Sequence, residues 1–280
     1  MPSSALRAPL LLRTLGRMVP CLLLSTMGSA LWAAEPPQAC APATVAAVAR
    51  WAGVQGKLVS WDQPGGLIAA ASCKAMPDAP DTTIAAIAFD TLLEGQTRGD
   101  GNKLQIIALV EAGQVVAAHR SQIEEDATTA VGRYDIDTAR YHLRPGVRAF
   151  GTVFHSDALG SRCPDAAADH ELTLWVREGR QLRPVLGTNL RGWVNIVGTP
   201  CILNEALSRS EEAHLTVSVE KTSSHGFADL ALTARIVQSE VHGDADEKTR
   251  QRRARTVLRY DGHSYGHDMF RTFWYPADLR

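Results

Sequence analysis

The feature that most constrains this chain is a period of two in its apolar residues. Leu215, Val217 and Val219 alternate with Thr216, Ser218 and Glu220. A turn follows around Gly226, and Ala228, Leu230, Leu232, Ala234 and Ile236 then mark one face of a long run. Successive side chains of an extended chain point to opposite sides, so each run buries one face of a strand and wets the other. Two such runs joined by a glycine turn read as an antiparallel hairpin. The same pattern recurs upstream. Leu172, Leu174 and Val176 alternate with Thr173, Trp175 and Arg177, which predicts a half-buried strand. Gly179 turns it into Leu182 to Leu186, and Leu190 to Val197 reads as one more strand. Leu104 to Val110 is almost wholly apolar and is expected to be a central strand buried on both faces. Leu67 to Ala75, Thr83 to Thr91, Val115 to His119, Tyr134 to Asp137, Val147 to His155 and a closing strand through Leu258 complete the β pattern.

One helix is expected before the strands. Thr44 is placed to cap it, Val45, Val48, Trp51 and Ala52 share its apolar face, and Gly53 and Gly56 end it. The charged stretch Glu240 to Arg253 reads as a loop. With hairpins throughout and no βαβ alternation, the expected fold is mostly β. Antiparallel hairpins would form a sandwich or a small propeller-like assembly, with a short N-terminal helix.

Residues 1–33 read as a secretory signal peptide. Arg7, Arg13 and Arg17 precede an apolar stretch from Met18 to Met27, and small residues follow, with cleavage expected after Ala33 or Ala30. Residues 34–280 are then expected to form a single mostly-β domain, with a subdivision near residue 205 as the alternative. No later window is long and apolar enough to span a membrane as a helix. Export is also the context that suits the cysteines. Without Cys21 in the leader, Cys40, Cys73, Cys163 and Cys201 remain, an even set that reads as two disulfides. Four cysteines allow three pairings, and local closure favours Cys40–Cys73 with Cys163–Cys201. The expected location is periplasmic or secreted.

Taking the three leader arginines from 29 basic residues leaves 26 against 30 acidic ones, a net charge of −4. A mildly acidic chain is a poor partner for nucleic acid. Positive charge is nevertheless concentrated in Lys248, Arg250, Arg252, Arg253, Arg255 and Arg259, a run that suits an anionic envelope polymer or phospholipid headgroups. Trp51, Trp61, Trp175, Trp193 and Trp274 are read as packing residues, with Trp51 facing the core.

Two motifs suggest chemistry. Gly262-His263-Ser264-Tyr265-Gly266 matches the G-x-S-x-G nucleophile elbow, which makes Ser264 a candidate nucleophile. In hydrolases of that kind the acid and histidine follow on later strands, and only sixteen residues follow Ser264. The segment is therefore read as a turn, and no catalytic residue is assigned. His263 and His267 stand four apart, a helical spacing that would suit a metal. A strand-bounded turn does not supply that helix, so no metal ligand is assigned, with these two as the candidates. No cofactor motif is present. The expected function is a non-catalytic envelope protein that binds a protein or an envelope polymer. The alternatives are a serine hydrolase centred on Ser264 and a metal-binding protein using His263 and His267.

Overall fold

The computed structural model describes residues 38–91, 101–202, 206–243, 245–266 and 273–279. The leader and His267 lie outside the described residues. The mostly-β expectation holds: among the described residues one α-helix, α1 (Pro42–Ala52), precedes twelve strands of a mixed sheet.

Pro42 occupies the first turn of α1, where its missing N–H costs nothing. Ala41, not Thr44, is the N-cap residue, and Thr44 already donates its backbone N–H to Ala41 O at 2.9 Å. Gly53 ends the helix at φ 74°, a left-handed conformation that a glycine adopts freely. The buried stripe is made of Val45, Val48, Ala49 and Ala52, small enough to seat the helix closely on the sheet. Trp51 is 42% exposed at the rim of that stripe, against the expectation that it faces the core.

Five strands carry the helix: β1 (Lys57–Ser60), β2 (Gly66–Met76), β3 (Ala79–Phe89), β4 (Lys103–Glu111) and β5 (Gln114–Ile123). From β2 to β5 they form an antiparallel meander, while β1 pairs with β2 in parallel. The strand β4 is buried on both faces, as its apolar run predicts. Ile106 and Ala108 pack under α1, and Ile107 and Leu109 face the other way.

That other face meets a second layer: β6 (Val131–Arg144), β7 (Val147–Ser156), β8 (Ala166–Glu178) and β9 (Gln181–Val197). A third layer is formed by β10 (Ser208–Ser224), β11 (Phe227–Val241) and β12 (Lys248–Leu258). The middle layer is therefore clamped from both sides. Phe150 and Trp175 pack toward β2–β5, whereas Ala149, Leu172 and Leu174 pack toward β10–β12. This corrects the half-buried reading of β8. Trp175 is buried and donates its indole N–H to Thr152 Oγ1 at 2.8 Å. The sequence also divides β9 in two where the structure has one strand of 17 residues. Pro184 is tolerated within it because β9 itself bulges there: Leu174 pairs with Leu186 and Trp175 with Pro184, which leaves Val185 as the extra residue. Lys248 to Arg253, expected in a loop, belong to β12 and pair with β11 in unbroken register.

Along one edge β9 pairs with β8 throughout. Along the other it meets β5 at Gln181, receives the backbone N–H of Tyr265 at Val185 O (2.7 Å), and pairs with β10 from Arg191 to Val197. Two disulfides close local loops, Cys40–Cys73 and Cys163–Cys201, the pairing expected from local closure.

Candidate functional site

Alternation places a histidine at the end of β7. Tyr134 and Ile136 on β6 and Phe154 on β7 face the core toward β2–β5, so Asp135 and His155 turn to the opposite side. In register Arg133 opposes His155 and Asp135 opposes Val153, which makes Asp135 and His155 diagonal neighbours. Their side chains meet: His155 Nε2 lies 2.6 Å from Asp135 Oδ2. The last β7–β8 pair is Phe154 with Glu171, and one step further the ladder would oppose His155 to His170.

At that step β8 departs from strand geometry. His170 adopts φ 59°, a left-handed conformation in which histidine is enriched among non-glycine residues. Asp169 holds this turn with both oxygens. Oδ1 accepts the backbone N–H of His170 at 2.7 Å, and Oδ2 lies 2.7 Å from His170 Nδ1. The two imidazole rings meet edge to face, 4.2 Å between centroids. His155 is 4% exposed and forms the floor, while His170 and Asp169 form the solvent side. One ligand-capable atom from each of His155, Asp169 and His170 lies within 4.8 Å of the other two.

Burial lowers the His170 pKa below the ordinary histidine value; the Asp169 carboxylate opposes this, while His155 and Arg191 add to it. Burial raises Asp169, but the His170 N–H and the neighbouring imidazoles outweigh it and bring its carboxyl below the usual range.

Asp169 also begins a second feature. Paired residues of neighbouring strands share a face, and the registers align Asp169 (β8), Arg191 (β9), His214 (β10), Arg235 (β11) and Arg253 (β12) in one row across five strands. All five are exposed. The row lies opposite the face where Ala213, Ala234 and Trp274 pack. His214 is 3.1 Å from Glu212, while among the described residues no carboxylate pairs with Arg191, Arg235 or Arg253. A shallow groove runs along the row's outer end, where Thr216 and Thr233 border His214, Arg235 and Arg253.

No protein-family model, curated protein or solved structure matches the chain.

The residues singled out in the sequence lie elsewhere in the fold. Asp261 Oδ1 accepts the backbone N–H groups of both His263 and Ser264 at 2.7 Å, and Tyr260 bridges to Tyr265. Ser264 thus sits in a tight loop that brings Tyr265 back beside Tyr260. Tyr265 is the anchor: its hydroxyl donates to Ala228 O at 2.5 Å. His263 is exposed, and its carbonyl accepts from Arg183 Nη1. The basic run splits by strand alternation. Arg252 turns inward to Glu211 Oε2 at 2.5 Å and Trp274 O at 2.6 Å. Arg253 and Arg255 turn outward, and Arg255 pairs with Glu220 at 2.6 Å. His155, Asp169 and His170 were not singled out from the sequence. Asp169-His170 reads there as a polar pair entering a strand, and nothing local ties it to His155.

Proposed function

We propose that this is an exported, non-catalytic protein of the cell envelope that binds a linear acidic polysaccharide across the outer face of β9–β12. The observation that carries this reading is the row of Arg191, His214, Arg235 and Arg253. Like charges directly opposite on neighbouring strands repel. Arg235 and Arg253 are such a pair, and an anionic ligand would relieve the repulsion. Strands stand about 4.8 Å apart, so the three arginines, with His214 between them, present positive charge over about 14 Å. A polymer with one carboxylate per sugar lies across them with its charges spaced to match. The threonines beside the row add hydroxyl donors for sugar oxygens. Because the mature chain is net acidic, attraction at this face is local and does not come from overall charge. The leader at residues 1–33 and the two disulfides support a periplasmic or secreted location.

The test is affinity electrophoresis and calorimetry of the mature protein with polygalacturonate, with a neutral glucan as control. Binding to the polyuronate alone is expected, weakening as salt rises. The double variant Arg235→Ala/Arg253→Ala should lose about tenfold or more in affinity, the equivalent of about 1.4 kcal/mol. Equal binding by the double variant, or no binding to the polyuronate, would overturn the proposal. Binding to anionic phospholipid vesicles alone would replace the polymer by a lipid surface.

A further inference from the structure

We propose that His155, Asp169 and His170 form a binding site for a zinc-type divalent metal ion at the β7–β8 strand end. The inference does not rest on polymer binding, since Asp169 is the one residue that the two features share.

The first ground is convergence. Three side chains of the right chemistry bring ligand atoms within 4.8 Å of one another, from positions 155, 169 and 170 on two adjacent strands. Tetrahedral zinc holds nitrogen and oxygen ligands at about 2.0–2.1 Å, which sets them about 3.4 Å apart. Side-chain rotation of Asp169 and His170 on the solvent side covers the difference.

The second ground is how His155 is held. Metal-bound histidines characteristically direct their other ring nitrogen to a carboxylate or carbonyl, which fixes tautomer and orientation. His155 is held in this way, its Nε2 engaged with Asp135 at 2.6 Å. A neutral imidazole that donates from one nitrogen offers a lone pair at the other. With Nε2 held by Asp135, His155 keeps Nδ1 as its ligand atom. Asp135 orients His155 without being a ligand. Asp169 and His170 each bring one ligand atom to the ion, exchanging their mutual 2.7 Å contact for it.

The third ground is the backbone. A histidine at φ 59° interrupts the regular course of β8, and such conformations persist where the surroundings determine them and cluster at functional sites. The interruption falls at the residue that would face His155.

Two imidazoles and one carboxylate suit zinc and similar first-row ions, whereas calcium and magnesium prefer all-oxygen sites. With three protein ligands and an exposed rim, the fourth position faces solvent and is open to water or an external ligand.

The experiment is zinc calorimetry on chelator-treated mature protein, with cobalt(II) as a spectroscopic probe and no polymer present. One zinc per chain is expected, with visible cobalt absorption of tetrahedral intensity. His170→Asn removes the imidazole but keeps a residue that tolerates the left-handed backbone, so this variant should fold and lose the site. Asp135→Asn should weaken binding by about 10–100-fold, as removal of an orienting partner does. Circular dichroism confirms folding of each variant. No stoichiometric binding by the native protein would overturn the proposal, as would undiminished binding by His170→Asn. Binding lost in His263→Ala but kept in His170→Asn would also overturn it, and would move the metal to the C-terminal loop.

Discussion

Trp274 stands directly over Gly192: a Cβ placed on that glycine would lie 2.6 Å from Cζ2 of the indole. The ring is 2% exposed and packs with Val194, Ala213 and Ile236, so the C-terminal segment is seated on β9–β11 by this contact. Arg252 reinforces it by bonding both Glu211 and the Trp274 carbonyl. Gly192→Ala forces the indole out of its seat and is expected to cost about 1–3 kcal/mol, as overpacking does. The urea-unfolding midpoint measures this. A variant as stable as the parent would show that the seat contributes nothing.

Arg235 and Arg253 give a prediction of opposite sign. If their opposition serves a ligand, it strains the free protein. Arg235→Thr should raise stability by about 0.2–1 kcal/mol at low ionic strength, the range of cross-strand pair effects. The gain should fade as salt screens the repulsion. Thermal melts at low and high salt test this, and a destabilised variant at low salt would contradict it.

Lys103 is 1% exposed and lies between two carboxylates, Glu125 at 2.8 Å and Asp90 at 3.3 Å. Lys103→Met leaves both acids without their shared cation, and breaking a buried pair in this way costs about 3–5 kcal/mol. Burial lowers the lysine pKa, but the two carboxylates outweigh it and hold it above the ordinary value of 10.5. A raised folded-state pKa stabilises fully below the unfolded value and loses that contribution as pH rises through the folded one. The stability gap between parent and variant should therefore stay level toward pH 10.5 and shrink beyond it. Urea midpoints measured across the alkaline range check the sign.

The disulfide Cys40–Cys73 closes a separation of 33 residues and ties the start of α1 to β2. Loop-closure entropy assigns such a bridge about 4 kcal/mol. The double variant Cys40→Ala/Cys73→Ala should lose about that much and should expose the α1 amides first to hydrogen exchange. Equal protection of α1 with and without the bridge would show that packing alone holds the helix.

Much of the strand inventory was legible. The alternation at Leu215–Val219 and at Ala228–Ile236 marks β10 and β11, and the unbroken apolar run at Leu104–Val110 marks a strand buried twice over. Where local reading failed, a tertiary partner intervened. Thr173, Trp175 and Arg177 look like a wetted face, yet Trp175 is covered by the first sheet. Lys248 to Arg253 look like a solvated loop, yet β11 supplies their ladder. Trp51 is large and apolar, yet the close seat of α1 admits only small residues.

By itself the sequence determined what depends on neighbours along the chain: the leader signature, the hairpins with their glycine turns, the helix ahead of them, and a cysteine set whose local pairing the structure repeats. The candidate sites needed tertiary structure, because both depend on register. His155 and His170 meet only because β7 and β8 pair as they do and His170 leaves strand geometry at that step. The row from Asp169 to Arg253 exists only because four successive registers bring those residues into line. A slip of one residue in any of them would turn the affected side chains to the opposite face. Alternation along one strand says which residues share a face, and only pairing between strands says which residues meet.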